Sequence, residues 1–101
     1  MALTILRDPL EAAGWLKSRV RGTLHADSRA LGAGDGFIAW PGAATDGRHY
    51  VAAALAQGAT ACLVEQEGSQ AFGFEGHGDA IACYPGLKAA TGPIAAAYYD
   101  T

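Results

Sequence analysis

The side chains best suited to hold a ligand lie in two short polar segments of the sequence. The first contains Ser28, whose hydroxyl both donates and accepts hydrogen bonds, and Arg29, whose planar guanidinium matches a phosphate or a carboxylate. The second contains Thr45 and leads into a helix predicted near Arg48, where backbone amides can hold an anion or a polar ring edge. Together these groups indicate a site for a polar, anionic small molecule.

Two neighbouring strands are needed to bring these segments together. Each segment follows a predicted strand, at residues 23–26 and 37–40. Because open α/β sheets bind ligands beyond the carboxyl ends of their strands, the two loops would lie side by side at one edge of the sheet. A purely structural interpretation competes with this one: Asp27 caps a turn, and Arg29 pairs on the surface with Asp27 or Asp35. The residues alone leave both interpretations open.

Other chemical motifs give weaker signals. Gly32, Gly34 and Gly36 follow the spacing of part of a dinucleotide-binding fingerprint, but they precede a strand, whereas the fingerprint opens a helix. The histidines have no metal-ligand spacing with either cysteine, and no G-x-x-x-x-G-K-[ST] phosphate loop occurs. We therefore predict no catalytic residue, no metal site and no ATP site of that kind in this chain.

The predicted elements alternate between helices and strands. Asp8 and Pro9 mark the start of a helix that fades near Gly22, because an Asp cap followed by Pro suits a first turn. A second helix runs from about Arg48 to a glycine cap at Gly58. The remaining predictions are strands at 60–64 and 80–84, a loop with little structure of its own at 66–79, and a helix at 87–99 weakened by Gly92-Pro93. This order predicts an α/β fold with a single small sheet, of about four or five strands, flanked by helices.

Length and charge exclude several classes of function. A chain of 101 residues suits one domain, and half of its residues are hydrophobic, which is enough for a core. Seven basic and ten acidic residues form no basic stripe, so neither a nucleic acid nor a membrane surface is a predicted partner. Cys62 and Cys83 each lie in a short apolar run and are predicted to be buried thiols of a cytoplasmic protein.

The stretch from Asp27 to Ala59 resembles the N-terminal domain of bacterial Mur ligases. The resemblance runs through Asp-Ser-Arg, a Gly-Asp-x-Phe-x-Ala segment, a glycine before a loop, Asp-Gly-Arg-His-Tyr, and Gly-Ala after the helix. The apolar segment 86–99 is similar to the end of that domain, and within the superfamily the chain looks most like the MurE ligases. The resemblance implies that residues 1–101 form one UDP-sugar-binding domain, with the ATPase and C-terminal domains absent from this chain.

The resemblance also implies roles for individual residues. Ala26 and Ser28 match positions that contact uridine in the family. Ala43, Ala44 and Thr45 match the segment that holds the uracil and the phosphates; some relatives carry His-Gln-Ala there, so the two alanines would contribute only backbone or van der Waals contacts. We expect Arg29 and Asp46 to act indirectly by holding the two loops in place, since an Arg–carboxylate pair fixes a loop geometrically.

The function implied by the resemblance is that of one part of an enzyme. Such a domain would bind the UDP moiety of UDP-N-acetylmuramoyl-L-alanyl-D-glutamate within an ATP-dependent ligase that adds meso-diaminopimelate or lysine as the third peptide residue of a peptidoglycan precursor. ATP and Mg²⁺ would belong to the full-length ligase, no cofactor to this chain, and the fragment alone would be inactive. The alternatives are the equivalent domain of MurF, the ligase that adds D-alanyl-D-alanine, and a stand-alone interaction module presenting Tyr98 and Tyr99.

Overall fold

A computed structural model describes residues 3–100, and at residues 75 and 78 it describes only the backbone. Residues 1, 2 and 101 of the predicted domain lie outside the described residues. In the described part the α-helices and strands are β1 (Thr4–Ile5), α1 (Pro9–Lys17), β2 (Leu24–His25), β3 (Gly36–Ala39), α2 (Val51–Ala56), β4 (Ala61–Glu65), β5 (Ile81–Tyr84) and α3 (Leu87–Tyr99). Short 3₁₀ helices occupy Ser28–Ala30, Gly47–Tyr50, Ser69–Phe72 and Phe74–Ala80.

All the strands join one parallel sheet in the order β1-β5-β4-β3-β2. This confirms the predicted α/β class and the single small sheet. Strand β1 was missing from the predicted order, because two residues carry no periodic pattern; Thr4 and Ile5 are strand only through their pairing with Ala82 and Cys83 of β5. The neighbouring strands β2 and β3 run parallel, with His25 at the end of β2 opposite Phe37, two residues before the end of β3. Their following loops therefore lie at the same edge of the sheet.

Alternating side chains on the central strands build a core on each face of the sheet. Phe37 and Ala39 of β3 pack on the α2 side, whereas Ile38 between them packs against α1 and α3. The α1/α3 core also contains Leu16, Leu63, Leu87 and Ile94, and the α2 core contains Val51, Cys62, Val64 and Ile81. The central strands β3, β4 and β5, covered by helices on both faces, are apolar apart from Glu65 at the end of β4, as is usual for buried parallel strands.

The helix ends follow their local sequence signals, with one difference in length. The Asp8 carboxylate accepts hydrogen bonds from the amides of Leu10 and Glu11 and caps α1, as predicted. Helix α1 stops at Lys17, earlier than the predicted fade near Gly22, although further turns continue beyond it. Helix α3 runs without interruption through Pro93. No helix among residues 3–100 is both long and apolar enough to cross a bilayer.

The C-terminal end of α3 holds the edge of the sheet. The Tyr98 hydroxyl donates to the Gly22 carbonyl at 2.8 Å, and the Tyr99 hydroxyl accepts from the Leu24 amide at 2.8 Å. The two rings meet edge to face, with centroids 4.9 Å apart. These tyrosines therefore bind their own chain, which weakens the alternative in which they present a contact surface.

The segment at 66–79 was predicted to have little structure of its own, and that prediction is wrong. It forms two 3₁₀ helices separated by Gly73, whose positive φ of 65° suits a glycine. Phe72 and Phe74 stack with ring centroids 5.4 Å apart, and Phe74 is buried in the α2 core. The polar composition of the segment concealed these two aromatic anchors.

Candidate functional site

A cavity of about 440 Å³ opens where the loops after β2 and β3 meet. Its volume lies within the range of about 300–1,000 Å³ that is typical of small-molecule sites. It is lined by Ala26, Asp27, Ser28, Arg29, Phe37, Trp40, Gly42, Thr45, Gly47 and Tyr50. The polar groups come from the loops, and the aromatic side chains come from β3, from the residue that follows it, and from the turn before α2. The predicted side-by-side arrangement of the two polar loops is therefore confirmed.

The loop after β2 is held by an internal ion pair. Asp27 caps the 3₁₀ helix Ser28–Ala30 and accepts from the Arg29 amide at 2.9 Å. The Arg29 guanidinium binds the same carboxylate through Nε and Nη2 at 3.1 and 2.8 Å. This pairing lowers the pKa of Asp27 to about 2, chiefly through the side-chain hydrogen bond from Arg29. The surface pair that the structural interpretation required does form, and both of its members also line the cavity.

The loop after β3 repeats the same turn in a different environment. Asp46 caps the 3₁₀ helix Gly47–Tyr50 and accepts from the Arg48 amide at 2.9 Å. Arg48 binds that carboxylate through Nε and Nη2 at 3.0 and 2.8 Å. The Arg29 side chain is 89% exposed, whereas the Arg48 side chain is 6% exposed. Two Asp-x-Arg triplets thus make the same local structure, and only one of them is buried.

Arg48 connects three parts of the fold. Its Nη1 donates to the Glu65 carbonyl at 2.9 Å and also to the Glu67 carbonyl, both at the carboxyl end of β4. Its guanidinium lies over the Phe72 ring, 4.8 Å from the centroid. Sequence reasoning did not single out Arg48 as a structural residue. The signal that could have identified it is the repetition of Asp-x-Arg after consecutive strands.

The predicted site residues are only partly brought together. Ala26, Ser28 and Thr45 line the cavity. Ala43 and Ala44 are exposed at the tip of the loop and do not line it, because the Gly42 amide donates to the Thr45 carbonyl at 2.8 Å and closes a tight turn around them. Their predicted contacts with a ligand stay a prediction.

Arg29 and Asp46, the two residues predicted to hold the loops in place, belong to separate ion pairs. Arg29 binds Asp27, and Asp46 binds Arg48, so each ion pair fixes its own loop. The amides at the start of the second turn were expected to be available to an anion. They are engaged within the turn instead: the Arg48 amide donates to the Asp46 carboxylate and the His49 amide to the Asp46 carbonyl. Anion binding by these amides is therefore not supported.

Asp35 organises the turn that leads into β3. Its carboxylate accepts from the amides of Thr23 and Gly32, each at 2.9 Å, and these two bonds are the main reason that its pKa is lowered. The His25 ring lies 3.0 Å from the same carboxylate. This network fixes the start of β3 against β2, which in turn sets the spacing of the two loops at the other end of these strands.

The cysteines and tryptophans, the remaining candidate groups, lie in or against the hydrophobic core. Cys62 and Cys83 are buried thiols, as predicted, and burial raises the pKa of Cys62 to about 12. A thiol with such a pKa is not a nucleophile at neutral pH. Within the described residues, no three His, Cys, Asp or Glu side chains converge as metal ligands. Trp15 and Trp40 pack against the α1/α3 core, and Trp40 also lines the cavity.

Acid is expected to destabilise the chain through the loop carboxylates. The pKa of Asp46 lies below the ordinary value of 3.8 because Arg48 hydrogen-bonds to its charged form. A lowered pKa stabilises the folded chain above about pH 4, and that contribution disappears as the pH falls through the folded-state pKa. The urea midpoint should therefore decline steadily below pH 4. In Asp46→Asn, which starts less stable, the decline should be shallower; an equally steep decline would contradict this assignment.

Comparison with known proteins places this geometry in a family. Residues 23–95, which include the whole cavity, match the family described as "Mur ligase family, catalytic domain". The chain belongs to the Mur ligase family. The five-stranded parallel sheet with helices on both faces agrees with the Mur ligase N-terminal domain that the sequence resembled.

Individual Mur ligases show the same relationship. A protein of Acidovorax sp. (strain JS42), named UDP-N-acetylmuramoyl-L-alanyl-D-glutamate--2,6-diaminopimelate ligase, is 57% identical over 97% of this chain and 19% of its own length. A protein of the same name from Janthinobacterium sp. (strain Marseille) is 39% identical over 84% of the chain and 16% of its own length. A UDP-N-acetylmuramoyl-tripeptide--D-alanyl-D-alanine ligase of Mycobacterium leprae is 49% identical over 54% of the chain and 10% of its own length. The chain thus spans less than a fifth of each of these relatives.

Proposed function

We propose that this chain is the substrate-nucleotide-binding domain of a ligase that extends the peptide of a peptidoglycan precursor. The substrate would be UDP-N-acetylmuramoyl-L-alanyl-D-glutamate, and the residue added would be 2,6-diaminopimelate. The observation that carries the proposal is the cavity between the β2 and β3 loops. It lies in a chain that is 57% identical to a ligase named for this substrate and this amino acid. Residues 1–101 would form this one domain, while the ATPase and C-terminal domains would belong to the rest of a longer polypeptide.

The chemistry of the cavity suits a uridine diphosphate group. Hydroxyls of Ser28 and Thr45 offer hydrogen bonds to a polar ring edge or a sugar, and Phe37 and Trp40 provide apolar surface beneath a flat ring. Arg29 uses Nε and Nη2 on Asp27, and its exposed Nη1 makes no hydrogen bond in the described part of the chain. That nitrogen is available to a phosphate oxygen while the ion pair keeps the loop in place.

Catalysis would need the parts of the polypeptide beyond this domain. ATP and Mg²⁺ would be bound there, and the fragment by itself would bind the nucleotide without turning it over. Its partners would be the UDP-N-acetylmuramoyl dipeptide and the central and C-terminal domains. One alternative is favoured by a specific observation: relatives named UDP-N-acetylmuramoyl-tripeptide--D-alanyl-D-alanine ligase are about half identical to part of this chain. A full-length protein containing this domain would distinguish the two by which UDP-muramoyl peptide it extends.

Titration of the chain with UDP tests the proposal directly. We expect chemical-shift changes in the amide spectrum concentrated at Ala26, Ser28 and Thr45, with saturation at micromolar to millimolar UDP. Ser28→Ala should weaken binding about 5- to 20-fold, the loss typical of about one to two kcal/mol of hydrogen bonding. Ser18→Ala is the matched control, because the Ser18 hydroxyl donates to the Trp15 carbonyl on α1, outside the residues that line the cavity. If millimolar UDP leaves all three amides unshifted, the isolated domain is better described as an interaction module.

A further inference from the structure

Tyr50 presents an aromatic ring at the mouth of the cavity. Tyr50 is 43% exposed. The other exposed large hydrophobic residues in the described chain are Leu10 and Tyr99, and neither lines this cavity. An exposed ring among polar groups at a concave surface is the arrangement of a binding site rather than of a core.

The backbone at Tyr50 is fixed by the turn before α2, which places the ring at the mouth of the cavity. Tyr50 ends the 3₁₀ helix that Asp46 caps and directly precedes α2. Two residues earlier, the buried Arg48 anchors the same turn to the end of β4. The Tyr50 hydroxyl lies 3.5 Å from the Thr45 hydroxyl across the loop. The backbone that carries the ring is therefore fixed before any ligand arrives, so the loop loses little conformational entropy on binding.

We propose that Tyr50 is the stacking residue of this site, with its ring face against the heterocycle of the nucleotide. This inference rests on the proposed function and adds to it a residue that recognises the base. Phe37 and Trp40 form the apolar interior of the cavity, and Tyr50 supplies the flat surface at its mouth. Stacking of a base on an aromatic ring is tolerant of base identity, so Tyr50 distinguishes ligands that carry a ring from those that do not.

The test compares two substitutions at the same position by calorimetric titration. Tyr50→Leu keeps the apolar bulk and removes the ring, and we expect UDP affinity to fall at least about tenfold. Tyr50→Phe keeps the ring and removes only the hydroxyl, and we expect affinity within about twofold to threefold of the original. Inorganic pyrophosphate, which has no ring, should bind all three chains equally. Thermal unfolding of each variant verifies that the fold is retained.

A spectroscopic measurement separates stacking from a general structural effect. The uracil ring protons should move upfield on binding to the original chain and to Tyr50→Phe, because they enter the ring current of residue 50. They should move much less on binding to Tyr50→Leu.

The outcomes distinguish this inference from the function on which it rests. If the original chain fails to bind UDP, the proposed function is overturned and the stacking assignment with it. If the original chain and Tyr50→Leu bind UDP equally well, or if Tyr50→Leu loses pyrophosphate as well, the stacking assignment alone is overturned.

Discussion

Replacing Arg48 by alanine is expected to lower the free energy of unfolding by about 3–5 kcal/mol, the cost of removing one partner from a buried ion pair. The substitution leaves the Asp46 carboxylate, 20% exposed, without its guanidinium. It also leaves the carbonyls of Glu65 and Glu67 without their donor and removes the cation above Phe72. For a chain of this size the corresponding fall in Tm is about 10 °C or more.

The chain supplies its own control for this experiment. Arg29 makes the same bonds to Asp27 that Arg48 makes to Asp46, but its side chain is 89% exposed. Arg29→Ala should therefore leave the free energy of unfolding almost unchanged, as is usual for an exposed pair. Urea unfolding of both variants measures the difference. Equal destabilisation by the two substitutions would show that burial of Arg48 is not what makes its pair important.

Replacing Gly58 by alanine is expected to cost about 2–4 kcal/mol. Gly58 follows α2 with φ at +108°, a conformation that L side chains rarely adopt. A Cβ at this position would lie 2.9 Å from the Cα of Ala33, and backbone cannot move aside as the end of a side chain can. The Gly58 carbonyl also accepts from the Gly34 amide, so a shift of this residue would disturb the turn that leads into β3.

Gly14 is the matched control for this second prediction. It lies inside α1, and a Cβ built there meets nothing within 4 Å. Gly14→Ala should stabilise the chain by about 0.5–1 kcal/mol, because alanine restricts the unfolded chain and favours a helix. Opposite signs for the two Gly→Ala substitutions in thermal unfolding are the expected result. Destabilisation of similar size at both positions would contradict the role given to the backbone of Gly58.

The parts of the fold that were predictable are those with a strong local signal. Asp8 and Pro9 predict the start of α1, and Gly58 predicts the end of α2. These signals are reliable because a helix cap is formed by residues that are neighbours in the sequence. Strand β1 was missed because Thr4–Ile5 becomes a strand only when β5 lies beside it. The segment at 66–79 was misjudged for a related reason: Phe74 is buried by residues far away in the sequence, and polar neighbours conceal it.

In the candidate site, too, some features were predictable from the sequence and others depend on the tertiary fold. The placement of Ser28 and Thr45 at one cavity followed from the rule that loops after neighbouring parallel strands meet at one edge. The contrast between Arg29 and Arg48 could not be read from the sequence, since both follow an Asp by two positions and form the same turn. What distinguishes them is the carbonyl groups at the end of β4, and these reach Arg48 only through the tertiary fold. The exposure of the Tyr50 ring at the cavity likewise depends on the tertiary fold, which the sequence pattern does not show.

The bond between Tyr99 and the edge strand also limits which backbone groups of that edge are open to pairing. Strand β2 is the outermost strand on its side of the sheet, and exposed edges offer unpaired amides to which strands of other molecules can add. At Leu24 that amide is already occupied by the tyrosine hydroxyl, and the Tyr98–Tyr99 pair places two bulky rings beside it. A strand of another molecule would therefore have to displace the last turn of α3 to pair at Leu24, on the strand whose following loop lines the cavity.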